Sequence, residues 1–198
     1  QKLNYARKNW PAALDKDEQQ EAILGEQRKS FSKTDTDATF MRMKEDHMKN
    51  GQLKPGYNLQ VSTNNQYITH YSIHQATTDT TTLKEHLTDF KTEYQTMPAV
   101  VTADAGYGSE ENYAYLEQNN ITAYVKHSQF DREQNENLQS KKPFSADKLY
   151  YNQEQDYYVC PMGQHMENSG SYNKKTAAGF IQTITQYESK NCNGCPLN

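Results

Sequence analysis

The sequence predicts a mixed α/β fold, and three observations carry the prediction. Two runs alternate apolar and polar residues, one run places apolar residues on a helical face, and a short apolar run ends in an aspartate and a glycine turn. Residues 1–33 read as a helical connecting segment, because 15–27 are rich in Glu, Gln, Lys and Ala. Thr34-Asp35-Thr36-Asp37 prefers turns and caps, and Asn50-Gly51 marks another turn. Between them, residues 40–54 show no clean period. Tyr57, Leu59 and Val61 alternate with Asn58, Gln60 and Ser62, and the alternation resumes through Tyr67, Thr69, Tyr71 and Ile73. With Thr63-Asn64-Asn65-Gln66 between them, these runs predict a β-hairpin of half-buried strands.

The period then changes. Leu83, Leu87, Phe90 and Tyr94 fall on one helical face, with Asp79 or a nearby Thr as cap. Residues 99–103 form a continuous apolar run, expected as a strand buried on both faces. Gly106 and Gly108 make a tight turn, Ser109 is a good N-cap, and Glu110 and Glu111 suit the first turn of a helix to about Gln118. Residues 121–125 read as a further strand. The chain thus divides into a helical connecting segment (1–33), an α/β core with a parallel portion (34–126), a polar linker (127–146) and a Tyr-rich region holding all three Cys (147–198).

Composition narrows the classes. Apolar residues are 34% of the 198 and the net charge is −4, so neither a membrane span nor a global basic signature for nucleic acid is present. Three Cys are too few for a disulfide scaffold. No secretory signal is expected, since Gln1-Lys2-Leu3-Asn4 opens no apolar segment, and Gln at position 1 suggests a fragment or a processed product. Tyr outnumbers Phe by 15 to 6, which suits a thin, half-wet core.

Asp104 is the most informative residue. It follows the apolar strand directly, where open α/β sheets bind ligands. It reads either as a turn and cap residue or as a metal-ligating carboxylate. Arg42, Lys44, Lys49 and Lys54 form a local basic cluster, read either as a solvated face or as phosphate contacts. His70, His74 and His86 carry no assigned role, and Tyr107 is expected to pack. Cys192-Asn193-Gly194-Cys195 and Cys160-Pro161-Met162-Gly163 read as two metal knuckles short of a fourth ligand unless His165 serves; free thiols and a redox pair stay open.

In order along the chain stand Thr34-Asp35-Thr36-Asp37-Ala38-Thr39-Phe40-Met41-Arg42, Lys54-Pro55-Gly56-Tyr57-Asn58, Thr78-Asp79-Thr80 and Ala103-Asp104-Ala105-Gly106-Tyr107-Gly108-Ser109. This series resembles the DDE transposases of bacterial insertion sequences, in the branch with a Cys-rich insert. The resemblance implies a partial ribonuclease H-like sheet with flanking helices, plus a small Cys-containing ribbon. It implies that Asp104 is the second of three catalytic carboxylates that hold two Mg²⁺ or Mn²⁺ ions. No strand with the family's first Asp occurs before Asp35, and the last Glu would lie beyond Asn198. Thr36 stands where the family tends to have Pro; Asp35 and Asp37 are read as turn residues. The resemblance further implies DNA (transposon ends) as partner, a homo-oligomer in the full-length protein, no membrane, and a bacterial cytoplasmic, nucleoid-associated location. It also implies a structural Zn on Cys160, Cys192 and Cys195, completed by a Cys past Asn198. The isolated chain is then expected to be inactive. The missing first strand would leave the hairpin and residues 99–103 without a shared neighbour. A non-catalytic DNA- or protein-binding relic, or a domesticated module, is the alternative.

Overall fold

A computed structural model of the chain describes residues 2–26, 28–43, 47–135, 148–176 and 178–195. Lys44 and the second half of the expected linker lie outside the described residues. Helix α1 (Lys2–Leu24) carries Pro11 in its interior and buries none of its residues. It takes no part in the core cluster, as its sparse apolar residues suggest.

Strands β1 (Thr39–Arg42) and β2 (Leu53–Gly56) pair antiparallel, with Met41 opposite Lys54. Neither strand was legible as periodicity. They are held by burial of Ala38, Thr39 and Met41 and by Gly56, where an added Cβ would sit 2.7 Å from Met43 Cε. Strands β3 (Asn58–Asn64) and β4 (Tyr67–His74) form the expected hairpin. Its two-residue turn, Asn65-Gln66, has φ of 50° and 72°, the double positive φ that matches strand twist.

The hairpin's faces are reversed from a simple polarity rule. Leu59 pairs with Ile73 and Val61 with Tyr71, yet all four are exposed, while Gln60, Ser72 and His74 are buried. Helix α2 (Leu83–Tyr94) covers the polar face and offers it His86, so hydrogen bonds replace apolar packing there. A single 3₁₀ turn, η1 (Asp79–Thr81), leads into α2.

Strand β5 (Val100–Ala103), the 3₁₀ turn η2 (Ala105–Tyr107), helix α3 (Glu110–Gln118) and strand β6 (Thr122–Val125) form a parallel β-α-β unit. Ser109 caps α3, its side chain accepting from Asn112 N, as the sequence predicts. Leu83 and Leu87 of α2 pack on Leu116 of α3 and Ile121 to make the core, with Val101, Tyr107 and Val125 against it. Burial of β5 on both faces is not observed: Val100 is 54% exposed. The reason is that only one face is covered: Val101 packs against the core cluster, while Val100 and Thr102 share the exposed face.

After a four-residue helix, α4 (Phe130–Glu133), strands β7 (Tyr150–Asn152), β8 (Tyr157–Val159), β9 (His165–Lys175) and β10 (Ile181–Ser189) form an antiparallel meander. Its tyrosines do the packing: the Tyr158 ring lies 4.6 Å from Tyr151 and 4.8 Å from Tyr187. Hydrogen bonds from Asn168, Tyr151 and Tyr187 hold the Asp156 carboxyl down at about 2. Among the described residues, no helix is long and apolar enough to cross a membrane.

Candidate active site at the carboxyl end of β5

Asp104 leaves β5 at its carboxyl end and caps the η2 turn, its Oδ1 accepting from Gly106 N at 2.8 Å. The turn-and-cap reading of this residue is thus observed. Oδ1 serves the turn, while Oδ2 takes no hydrogen bond from the described residues and the residue is exposed. Gly108 lets the chain pass close to β6: an added Cβ would sit 2.4 Å from Lys126 O.

Asp79 comes to the same place from η1. Its Oδ1 accepts from Asn58 Nδ2 at 2.9 Å and Gln60 Nε2 at 3.1 Å. A Cβ added at Gly106 would lie 2.9 Å from Asp104 Oδ1 and 3.3 Å from Asp79 Oδ2, so these two oxygens are no farther apart than the two distances combined. Tyr107 packs on the core, as expected, and its hydroxyl donates to Gln60 Oε1. Burial, then the charges of Asp79 and Asp104, push its phenol up to about 12. Thr80 Oγ1 donates to Gly106 O at 2.9 Å, and the buried Asn112 amide donates to Thr80 O and Tyr107 O at 2.9 and 2.7 Å. Two turns are thus clamped together around two carboxylates. Sequence reading placed Asp79 at a helix cap; its partners lie about twenty positions upstream on another element, and no local signal reports them.

Beside this site, a groove of about 580 Å³ separates β3 from β5, with Ser62, His86, Leu87 and Phe90 among its lining. The hairpin and the β5–β6 pair are separate sheets, so no strand bridges them among the described residues. The three histidines gather between the hairpin and α2. Ser62 Oγ lies 2.7 Å from His86 Nε2, and Ser72 Oγ lies 2.6 Å from His86 Nδ1 and 2.7 Å from His74 Nε2. His74 reaches Glu85 and His70 reaches Glu93. Burial, then the neighbouring His70 and His74, lower His86 to about 4.

The predicted basic residues are spread over a different hairpin. Arg42 and Lys54 are exposed and stand on opposite faces of β1–β2, since Lys54 opposes Met41 and Arg42 opposes Leu53. Lys49 sits in the connecting turn with φ of 51°. Asp35 is a turn residue: its carboxylate accepts from Asp37 N at 3.2 Å and Tyr57 Oη at 2.8 Å.

Cys160 heads a turn in which Gln164 N donates to its Sγ at 3.3 Å, and Cys195 N donates to Cys192 O at 3.2 Å. Gln164 ties the two turns, donating to Asn191 O at 2.7 Å and accepting from Ser189 Oγ at 2.8 Å. His165 stacks on Tyr157 with ring centroids 4.0 Å apart. Among the described residues, no group of three or more His, Cys, Asp or Glu is placed to hold a metal. The oxygen donors of Asp104 and Asp79 fit a hard divalent cation in kind; the rest of a shell would come from water or from outside the described residues.

Asp104 thus stands just past the carboxyl end of a parallel strand, the place where open α/β sheets bind ligands. The chain matches the transposase DDE domain family over residues 28–183, well over half its length, and it belongs to that family. The matched span contains Asp79, Asp104 and the hairpin, and stops before Cys192 and Cys195. Comparisons with curated proteins and with solved structures returned no match.

Proposed function

We propose that this chain is part of a DNA transposase that cleaves and rejoins DNA ends by two-metal phosphoryl transfer. The family supports transposition as the activity. The observation that carries the site is Asp104, exposed beyond β5, with one oxygen anchored by Gly106 N. Bound Mg²⁺ or Mn²⁺ would supply activation of a water or DNA 3′-hydroxyl and stabilisation of the leaving oxygen. Asp104 would hold such an ion, with the η2 turn fixing its carboxylate. The open β3 and β5 edges suit a ribonuclease H-like sheet whose shared strand comes from outside the described residues. Arg42, Lys44, Lys49 and Lys54 would contact the phosphate backbone. Cys160, Cys192 and Cys195 would contribute to a Zn site in the full-length protein, which would work as a homo-oligomer on transposon ends in the bacterial cytoplasm.

One carboxylate pair is too small a donor set for two ions, so the chain alone is expected to be inactive. The test is end cleavage and strand joining with Mn²⁺. The purified chain gives no product, and Asp104→Asn in the intact transposase lowers the rate by about a thousandfold or more. Cleavage of specific ends by the chain alone, or full activity of D104N, overturns the reading.

A further inference from the structure

Asp79 lies within η1, whose N-cap is Thr78, yet its side chain is tied through the hairpin to the turn that Asp104 caps. Its Oδ1 is held by two amides of β3, from Asn58 and Gln60, and Asn58 Oδ1 in turn accepts from Gln60 Nε2 at 2.7 Å. Gln60 is 3% exposed, so its amide is locked, and its other end receives the Tyr107 hydroxyl from the turn that Asp104 caps. Asp79 Oδ2 lies beside Gly106, where an added Cβ would sit 3.3 Å from it and 2.9 Å from Asp104 Oδ1. The next residue, Thr80, holds the Gly106 carbonyl. The Asp79 carbonyl serves the start of α2, accepting from Thr82 N and Oγ1, whereas its side-chain partners lead to the turn that Asp104 caps.

We propose that Asp79 is a positioning residue for Asp104: through Asn58, Gln60 and Tyr107 it fixes the η2 turn, and its charge strengthens the attraction of a divalent cation to the Asp104 carboxylate. The proposal rests on the reading of Asp104 as a metal-holding residue. It is independent of whether the chain alone can cut DNA.

The test uses Mn²⁺ alone as probe on the 198-residue chain, read by paramagnetic broadening of the backbone amide signals of Ala105, Gly106 and Tyr107. In the unaltered chain these signals broaden first, and Asp104→Asn abolishes the effect. Asp79→Asn keeps the side-chain shape and an acceptor oxygen but removes the charge; it should need about tenfold more Mn²⁺ for the same broadening. Asp79→Glu should recover part of the loss. Asn58→Ala loosens Asp79 without removing it and should shift the titration in the same direction, which keeps the test open if Asp79 variants fail to fold. Unaltered Mn²⁺ response in D79N or N58A, alongside loss in D104N, overturns the role of Asp79 and leaves the reading of Asp104 standing. Equal response in D104N and the unaltered chain overturns both.

Discussion

His86 stands between two serines and is one of several side chains that join the hairpin to α2. A neutral imidazole accepts at one ring nitrogen and donates at the other, and its two nitrogens lie 2.7 and 2.6 Å from the hydroxyls of Ser62 and Ser72, which can take either role. A protonated ring could only donate, and it would lie 4.9 Å from the His70 ring. Burial, with His70 and His74, lowers His86 from 6.5 to about 4. A group whose folded value is depressed in this way favours folding when it is neutral. The stabilisation is present above about 6.5 and is lost as pH falls toward about 4. The urea midpoint should therefore drop between pH 7 and pH 4, and His86→Gln should flatten that drop. An unchanged slope in H86Q would show that other groups govern acid sensitivity. These histidines were legible in the sequence only as separate residues, four to sixteen positions apart. Their grouping is made by tertiary packing, as is the link from Asp79 to Asn58 and Gln60.

At the scale of elements, the β5–α3–β6 unit was the most readable part of the chain. Its signals are local: an apolar run, a glycine turn, a serine cap and two glutamates in the first helical turn. Gly108 is the tightest point of that unit. Its φ of −68° suits any residue, so the requirement is space, not backbone freedom. A Cβ would meet the Lys126 carbonyl at 2.4 Å, which is main chain and cannot swing aside. Gly108→Ala should push β6 from the turn and destabilise the chain by about 2 kcal/mol. A thermal melt checks it; a midpoint within a degree of the unaltered chain would mean that the turn yields freely. By contrast β1 and β2 escaped the sequence reading. Four residues each, one strand containing Pro55, give too few positions to show a period. The hairpin β3–β4 was legible in its pairing but not in its orientation. Alternation reports that two faces differ, not which one a neighbour covers, and here a histidine-bearing helix covers the polar one.

Across the whole molecule, the polar composition has a structural counterpart among the described residues: a four-residue core cluster, and, apart from the β7–β10 meander, sheets of two strands that stop short of one another. The break falls between β3 and β5, beside Asp104. In a parallel pair the backbone groups of alternate residues point to the same edge. Ala99 O accepts from Thr122 N at 2.9 Å, so Ala99, Val101 and Ala103 turn their backbone groups toward β6. Val100 and Thr102 then turn theirs toward the groove, where no strand among the described residues pairs with them. Amide exchange should expose this alternation: Val100 and Thr102 should exchange at least about tenfold faster than Val101 and Ala103, because only the second pair is tied into a ladder. Uniform protection along β5 would mean that something pairs with its open edge in solution. An added strand that restored the slow exchange of Val100 and Thr102 would also join the hairpin to the β5–β6 pair. The two halves of the candidate site, Asp79 with its hairpin partners and Asp104 with its turn, would then sit on one continuous sheet. Their alignment now rests on side chains alone, from Asn58, Gln60, Thr80, Tyr107 and Asn112.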